Sequence, residues 1–204
     1  MEIAIIAPES VIAAWSANAA EGTQVRGIQT PEEAPAGALL IDCSYDGTAL
    51  RDSQLQAHQG PVWVADVAGK APGNAGFVRF NNWSDPAGAR IEAAGATDSH
   101  GQAEAFAAAL GKTIDWVPGT PGMVTPRVIA MIINEAYHAL AEGVSSKEDI
   151  NTAMKLGTNY PFGPFEWAAR IGLKNVAELL LVLAETNERY KPGALLLQEA
   201  GIVS

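Results

Sequence analysis

The chain has 204 residues, enough for one large domain or two small ones with a sizeable core. Its formal net charge of −10 disfavours nucleic acid and anionic membranes as partners, because both are negatively charged. No stretch has the length of an apolar membrane span, and no basic region precedes the first apolar run, so neither a transmembrane helix nor a secretory signal is expected. The single cysteine, Cys43, cannot form an internal disulfide. We expect a cytoplasmic protein in which Cys43 is a small core residue at a strand end.

Predicted strands and helices alternate along the first part of the chain. The strands are expected at residues 2–7, 23–28, 38–44, 61–67, 75–80, 89–95 and 112–117. The helices between them are expected at residues 11–20, 48–59 and 99–111, with Ser10 as the cap of the first. This alternation predicts a parallel, doubly wound sheet.

After residues 118–122, "PGTPG", the pattern becomes helical. One helix carries a wide apolar stripe, made of Val128, Ile129, Ile132, Ile133, Ala136 and Leu140. Ser145 and Glu148 predict a capping box for the next helix, which Gly157 is expected to end. A last amphipathic helix is expected over residues 175–190. The domain boundary is therefore predicted near residues 117–121.

Metal-binding and histidine-based sites are not indicated. The histidines, His58, His100 and His138, are scattered, and no cysteine–histidine spacing is typical of zinc. We interpret His138 as a surface or partly buried side chain on a packed helix. The segment "GPFEW", taken alone, predicts a short helix that begins at Pro164, with Phe165 and Trp167 in a core.

A long segment, "NEAYHALAEGVSSKEDINTAMKLGTNYPFGPFEWAARIGL", resembles the C-terminal domain of 3-hydroxyacyl-CoA dehydrogenases. The resemblance covers about residues 119–200, and the run from "GFVRFNNW" to "PGTPGM" resembles the end of the family's Rossmann domain. It implies an α/β Rossmann-like N-terminal domain, residues 1–118, followed by an all-α C-terminal dimerisation domain, residues 119–204. In that family the helical domain forms the dimer and closes over acyl-CoA.

The resemblance also locates the cofactor turn. The family's Gly-x-Gly-x-x-Gly positions correspond to Ala7, Glu9 and Ile12. These glycines allow a tight turn, close approach to a diphosphate and close helix packing. Glu9 would place a carboxylate where the diphosphate belongs, at a cost of several kcal/mol. We therefore expect no cofactor, and NAD only if the chain is an active dehydrogenase.

The family's catalytic positions have also changed. Val78 stands at the histidine position, Pro126 at the catalytic asparagine, and Ala68 near the serine. An aliphatic side chain cannot serve as a general base. Glu92 corresponds to the orienting glutamate and is the remaining catalytic candidate; the alternative is a solvated carboxylate at a strand end. No metal is expected.

Other positions match the family and are candidates for a substrate pocket or an interface. They are Asn81, Arg127, Tyr160, Phe162, Gly163, Pro164, Phe165 and Trp167. Two larger departures from the family are expected. The family's long helical excursion before the third strand, which helps to hold the CoA end of the substrate, corresponds here to a short loop. The resemblance also predicts that part of the C-terminal domain is missing, since the match ends before the family's glycine- and aromatic-rich tail.

Three functions follow from these observations. The first is a catalytically degenerate family member, a homodimer through its C-terminal helices that binds an acyl-CoA or regulates an active paralogue. The second is an active NAD-dependent 3-hydroxyacyl-CoA dehydrogenase of fatty acyl-CoA metabolism. The third is a structural dimerisation module with a stabilising α/β domain.

Overall fold

The computed structural model describes residues 1–73 and 76–202. The chain divides into two compact units, residues 1–123 and residues 124–204. The first unit contains a sheet with helices and the second contains helices. The predicted fold class is therefore confirmed, with the division five residues after the predicted end of the first domain.

The sheet has seven strands within the described residues, in the order β2-β1-β3-β4-β5-β6-β7. They are β1 (Glu2–Ile6), β2 (Gln24–Gly27), β3 (Leu39–Asp42), β4 (Val62–Ala65), β5 (Val78–Phe80), β6 (Arg90–Ala94) and β7 (Thr113–Trp116). All neighbours are parallel except β5 and β6. The prediction of a wholly parallel sheet is wrong at this pair, because a short loop joins the two strands and no helix crosses over. The predicted fifth strand began at Ala75, which lies outside the described residues.

Helices cover both faces of the sheet. They are α1 (Glu9–Ser16), α2 (Ala49–Gln56) and α3 (His100–Ala109). Trp15 of α1 and Phe106 of α3 pack with Ile5 and Ile41 on one face. Leu55 of α2 packs on the other face. The four residues of β3 are buried throughout, as a strand covered on two sides requires. This arrangement is Rossmann-like.

The start of α1 differs from its prediction. The helix begins at Glu9, two residues early, so Ser10 lies inside it and does not cap it. The carbonyl oxygen of Pro8 accepts hydrogen bonds from the amides of Val11 and Ile12, at 2.9 and 3.1 Å. Proline thus ends β1 and supplies the first acceptor of the helix.

The second unit has five α-helices in its described part. They are α4 (Thr125–Ala141), α5 (Lys147–Thr158), α6 (Pro164–Ile171), α7 (Leu173–Ala184) and α8 (Ala194–Glu199). The predicted final helix ends early, at Ala184, and a separate 3-10 turn follows at Glu188–Tyr190. None of the helices in the described ranges is long and apolar enough to cross a bilayer.

The cap and the end of α5 are shifted by one or two residues. Ser146, not Ser145, caps the helix, since its hydroxyl accepts a hydrogen bond from the Asp149 amide at 3.1 Å. The helix runs through Gly157, and Asn159 follows it in the left-handed conformation with φ 56°. Asparagine tolerates that conformation better than most residues, which explains why glycine was not needed.

The apolar stripe of α4 is confirmed in part. Ile133 and Ala136 are buried as predicted, but Val128 is 53% exposed, and Asn134 and Tyr137 are buried in addition. The buried face includes polar side chains, which a search for apolar periodicity passes over. The described core of this unit also contains Phe165, Val176, Leu179, Leu180, Leu183 and Leu196.

Candidate functional site

The turn after β1 lies where a Rossmann-like sheet places its cofactor. β1 pairs with β2 on one side and with β3 on the other, so the strand order reverses direction there. Ligands of such sheets bind at this switch point, beyond the carboxyl ends of the strands. Ala7 and Pro8 form the turn, and α1 begins immediately afterwards. The positions predicted to replace the family's glycines are therefore at the expected place in the fold.

Ile12 and Gly27 pack directly against each other. A Cβ atom added to Gly27 of β2 would lie 2.7 Å from the Cδ1 atom of Ile12, well inside contact distance. The isoleucine side chain thus occupies the space above the glycine. A glycine in the helix usually permits close packing of α1 on its sheet. In this chain the glycine of the close contact is Gly27 on β2, and the residue that packs on it is Ile12 of α1.

Glu9 is exposed in the first turn of α1. A carboxylate there complements the positive end of the helix dipole and contributes about 0.3–1 kcal/mol. Among the described residues, Ala7 and Glu9 are not in the positive-φ conformation that favours glycine. The backbone of this turn therefore requires no glycine and is stabilised by its own acidic residue.

Two buried aspartates lie at the carboxyl ends of β3 and β4, and sequence reasoning missed both: Asp42 is the last residue of β3, and Asp66 directly follows β4. Asp42 accepts hydrogen bonds from Arg51 Nε at 2.7 Å and Nη2 at 3.2 Å. Asp66 accepts hydrogen bonds from the backbone amides of residues 69–71 at 2.8–2.9 Å and forms an ion pair with Arg79 Nε at 3.0 Å. The signal was an aspartate directly after each apolar run. Both carboxylates are engaged by this chain: Asp42 ties β3 to α2, and Asp66 holds the loop that follows Ala68.

Val78 and Glu92, at the family's histidine and glutamate positions, lie on β5 and β6, and Asn81 directly follows β5. Val78 is 4% exposed and belongs to the core. Asn81 is buried, and its Nδ2 donates to Ser84 Oγ at 3.1 Å and to Glu92 Oε2 at 3.4 Å. Glu92 is half-buried within β6, so its interpretation as a solvated strand-end carboxylate is wrong. The asparagine and the glutamate thus contact each other beside an aliphatic side chain.

Six of the predicted pocket or interface residues share one corner of the second unit, between α5 and α6. They are Tyr160, Phe162, Gly163, Pro164, Phe165 and Trp167. The rings of Tyr160 and Trp167 are 5.2 Å apart, and the guanidinium of Arg170 lies 4.2 Å from the ring centre of Phe162. Phe165 is 8% exposed and packs edge-on against Tyr137 at 5.0 Å.

The start of α6 has a tightly specified geometry. The Gly163 amide donates to Glu166 Oε2 at 2.8 Å, and Lys155 donates to Glu166 Oε1 at 2.6 Å. The ammonium and the amide lower the pKa of Glu166. A Cβ atom on Gly163 would collide with the side chain of Asn151, whose Oδ1 accepts the Phe165 amide at 2.9 Å. Packing against Asn151 and capping by Glu166 therefore explain why residues 163–166 have these identities, without a binding function.

The other two predicted residues lie elsewhere. Asn81 belongs to the first unit, whereas Arg127 belongs to the second. Arg127 Nη1 donates to the hydroxyl of Tyr190 at 3.2 Å, and its guanidinium lies 5.4 Å from the same ring.

A polar cluster in the second unit was not predicted. Tyr137 donates to Glu199 Oε2 at 2.8 Å, and Lys147 donates to both Glu199 oxygens at 2.9 and 2.7 Å. Lys147 is the largest cause that lowers the pKa of Glu199. Burial, followed by the nearby carboxylate, raises the pKa of Tyr137. No sequence signal joins Tyr137 to Glu199, because they are 62 residues apart.

Metal chemistry has no candidate cluster in the described ranges, where no group of three His, Cys, Asp or Glu side chains could hold an ion. The chemistry available at the carboxyl edge of the sheet is therefore that of Asn81, Glu92 and the turn before α1.

Comparison with known proteins finds a family that matches the second unit of the chain. The family described as "3-hydroxyacyl-CoA dehydrogenase, C-terminal domain" matches residues 122–200. The 3-hydroxyadipyl-CoA dehydrogenase of Escherichia coli (strain K12) is 49% identical over 92 residues, which are 44% of this chain and 19% of that protein. The 3-hydroxybutyryl-CoA dehydrogenase of Bradyrhizobium diazoefficiens is 40% identical over 100 residues, 47% of this chain and 34% of that protein.

A solved structure extends the similarity to the first unit. The (S)-3-hydroxybutyryl-CoA dehydrogenase of Ralstonia eutropha matches with a TM-score of 0.69 and 25% identity, over 87% of this chain and 70% of that chain. The present chain spans about a fifth to a third of the curated relatives it matches. These findings confirm the resemblance predicted from residues 134–173.

Proposed function

We propose that the chain is a catalytically degenerate, dimeric member of the 3-hydroxyacyl-CoA dehydrogenase family that binds an acyl-CoA-related ligand or regulates an active paralogue. The match of residues 122–200 to the C-terminal domain of that family supports this proposal. The observation that carries this proposal is the turn before α1. Glu9 occupies the first turn of the helix, and Ile12 fills the space above Gly27.

The residues at the switch point do not fit a dinucleotide. A carboxylate about 4 Å from a diphosphate charge costs about 1 kcal/mol in water and about 4 kcal/mol near a protein surface. Solvent screening keeps the cost at the exposed Glu9 towards the lower value. Nucleotide-binding sheets also carry an acidic residue near the end of the second strand for the ribose. Here β2 ends at Gly27, and Ile28 and Gln29 follow.

The catalytic positions support the same proposal. Val78 has no group that could take a hydroxyl proton, and it is buried in the core. Pro126 has no side-chain donor and is itself buried at the start of α4. Glu92 interacts with Asn81 and has no histidine to orient at position 78. We therefore assign no hydride-transfer step to this chain.

The test is a calorimetric titration of the full chain with NADH, followed by NADH oxidation with acetoacetyl-CoA. We expect no saturable heat at protein concentrations well above micromolar, and an oxidation rate equal to that of a blank without protein. Saturable micromolar binding, which corresponds to about 8 kcal/mol, would show that the turn with Glu9 and Ile12 accommodates a dinucleotide and would overturn the proposal.

An active NAD-dependent dehydrogenase of fatty acyl-CoA metabolism is the second candidate. The names of the curated relatives favour it, since they are dehydrogenases. Their matched segments cover less than half of this chain, so they bear mainly on its helical part. NADH oxidation above the blank, dependent on acetoacetyl-CoA, would establish this activity in place of the first proposal.

The proposed degenerate family member forms a homodimer through its C-terminal helices. The third function, a structural dimerisation module, would consist of this self-association alone. Exposed apolar side chains on this unit support it: Leu156 is 83% exposed and Val128 is 53% exposed. Sedimentation should show a dimer at micromolar concentration, which Leu156→Glu and Trp167→Ala weaken. Leu50→Glu, at a 71% exposed position of the first unit, is the matched control. A monomeric parent chain would contradict this part.

The free thiol of Cys43 supports a reducing compartment, and we propose the cytoplasm.

A further inference from the structure

A pocket lies within the first unit, between α1 and the segment that connects β5 to β6. Its volume is about 260 Å³. Its apolar walls are formed by Pro8, Val11, Trp15, Phe80 and Ile91. Polar side chains of Asn81, Asn82 and Ser84 line the same pocket. This volume is just below the usual range for drug-sized ligands, so the occupant is a smaller molecule.

Lys112 places a buried positive charge at this pocket. The residue is 6% exposed, and its Nζ atom donates to the carbonyls of Pro86 and Gly88 at 2.8 and 2.7 Å. The ammonium lies 5.1 Å from the centre of the Trp15 ring. An ammonium has three donors, and these two carbonyls use two of them.

The charge of Lys112 is not neutralised by a close partner. Among the described residues, none of its recorded contacts is an ion pair with a carboxylate, and the negative group that acts on it is the exposed Asp85. Burial lowers the pKa of Lys112, which reflects the cost of removing a cation from water. An anion bound beside it would offset that cost.

The size and the charges of the site favour a small anion: Arg90 also lines the pocket but is paired with Asp115, which leaves Lys112 as the cation without a carboxylate partner among the described lining residues. Asp85 lines the pocket and Glu9 stands beside Pro8, so a polyanion such as a diphosphate would meet two carboxylates. A single carboxylate pairs with one ammonium, while the apolar walls accept a short hydrocarbon body. We propose that this pocket binds a small monocarboxylate, with the carboxylate at Lys112 and the hydrocarbon against Trp15 and Phe80.

The experiment is a titration of the full chain with sodium hexanoate, followed by two-dimensional NMR of the Trp15 indole and the Val11 and Gly88 amides. We expect saturable shifts at these groups with a dissociation constant of about 1 mM or lower, since short ligands gain limited free energy. Hexanamide has the same body without the charge and should bind at least about tenfold more weakly. Equal binding of the two compounds would overturn the recognition of a carboxylate.

Two variants test the location of the site. Lys112→Met should weaken hexanoate binding at least about tenfold, whereas Lys174→Met, at a 71% exposed lysine, should leave it unchanged. Since Lys112→Met also removes the donor to two carbonyls, Val11→Trp provides a second test that fills the pocket and keeps the lysine. Hexanoate binding that survives Val11→Trp, or no saturation up to about 20 mM in the parent chain, would overturn the proposal. The NADH titration separately decides the proposed function, because Lys112 takes no part in the argument from Glu9 and Ile12.

Discussion

Exchanging the side chains of Ile12 and Gly27 tests the packing at the first turn. Ile12→Gly should cost about 2–3 kcal/mol of unfolding free energy, from lost burial of about 1–2 kcal/mol and a helix penalty of about 1 kcal/mol. Gly27→Val alone should cost about 1 kcal/mol, because its Cβ would lie 2.7 Å from Ile12 Cδ1, a terminal methyl that can move aside at limited cost. In the double variant the valine occupies the vacated space, so we expect a total cost of only about 1–2 kcal/mol.

The measurement is urea unfolding with hydrogen exchange of the amides in residues 3–16, which reports the first unit by itself. The coupling energy of the pair should be at least about 1 kcal/mol. Gln24→Val is the matched control, because Gln24 is exposed on the same strand, and its effect should add to that of Ile12→Gly. If the free-energy costs of the Ile12 and Gly27 variants add within about 0.5 kcal/mol, the two residues do not share one packing space, and the reasoning is refuted.

Three further outcomes are expected. Asn134→Ala should cost about 2 kcal/mol and speed exchange of the Gly193 amide, because that amide donates to Asn134 Oδ1 at 2.9 Å; unchanged exchange would contradict this. The carboxyl of Glu199 has a lowered pKa, so its stabilising contribution is present above its ordinary value of 4.5 and is lost as the pH falls through the folded value. Glu199→Gln and Lys147→Met should both reduce this acid-side loss in urea unfolding, and an unaltered pH profile in both would exclude the pair as its source. Burial raises the pKa of the Cys43 thiol from 9.0 to about 12, so alkylation of the folded chain at pH 8 should be about a thousandfold slower than in urea; comparable rates would show the thiol to be accessible and ionised.

The fold was predictable where the pattern is local. Residues 39–42 form an apolar run that is buried throughout, and such runs indicate strands covered on both faces. The orientation of β5 against β6 was not predictable in this way, because a three-residue strand carries no pattern that depends on its direction. The caps of α1 and α5 shifted because proline carbonyls and neighbouring serines compete for the same role.

The candidate site was predictable through resemblance and not through its contacts. The turn at Ala7 and Glu9 lies where the motif placed it. The partners of Asn134 and Tyr137, however, lie 57–62 residues away, so their burial could not be inferred from neighbouring residues. Lys112 likewise appeared as the polar start of a strand, and its partners come from a separate loop.

The packing of Ile12 against Gly27 also bears on any redesign of this turn. Ile12→Gly alone would leave a void above Gly27, while Gly27→Val alone would crowd the terminal methyl of Ile12. A protein engineer who wants a glycine-bearing helix at this turn therefore has to change the strand and the helix together.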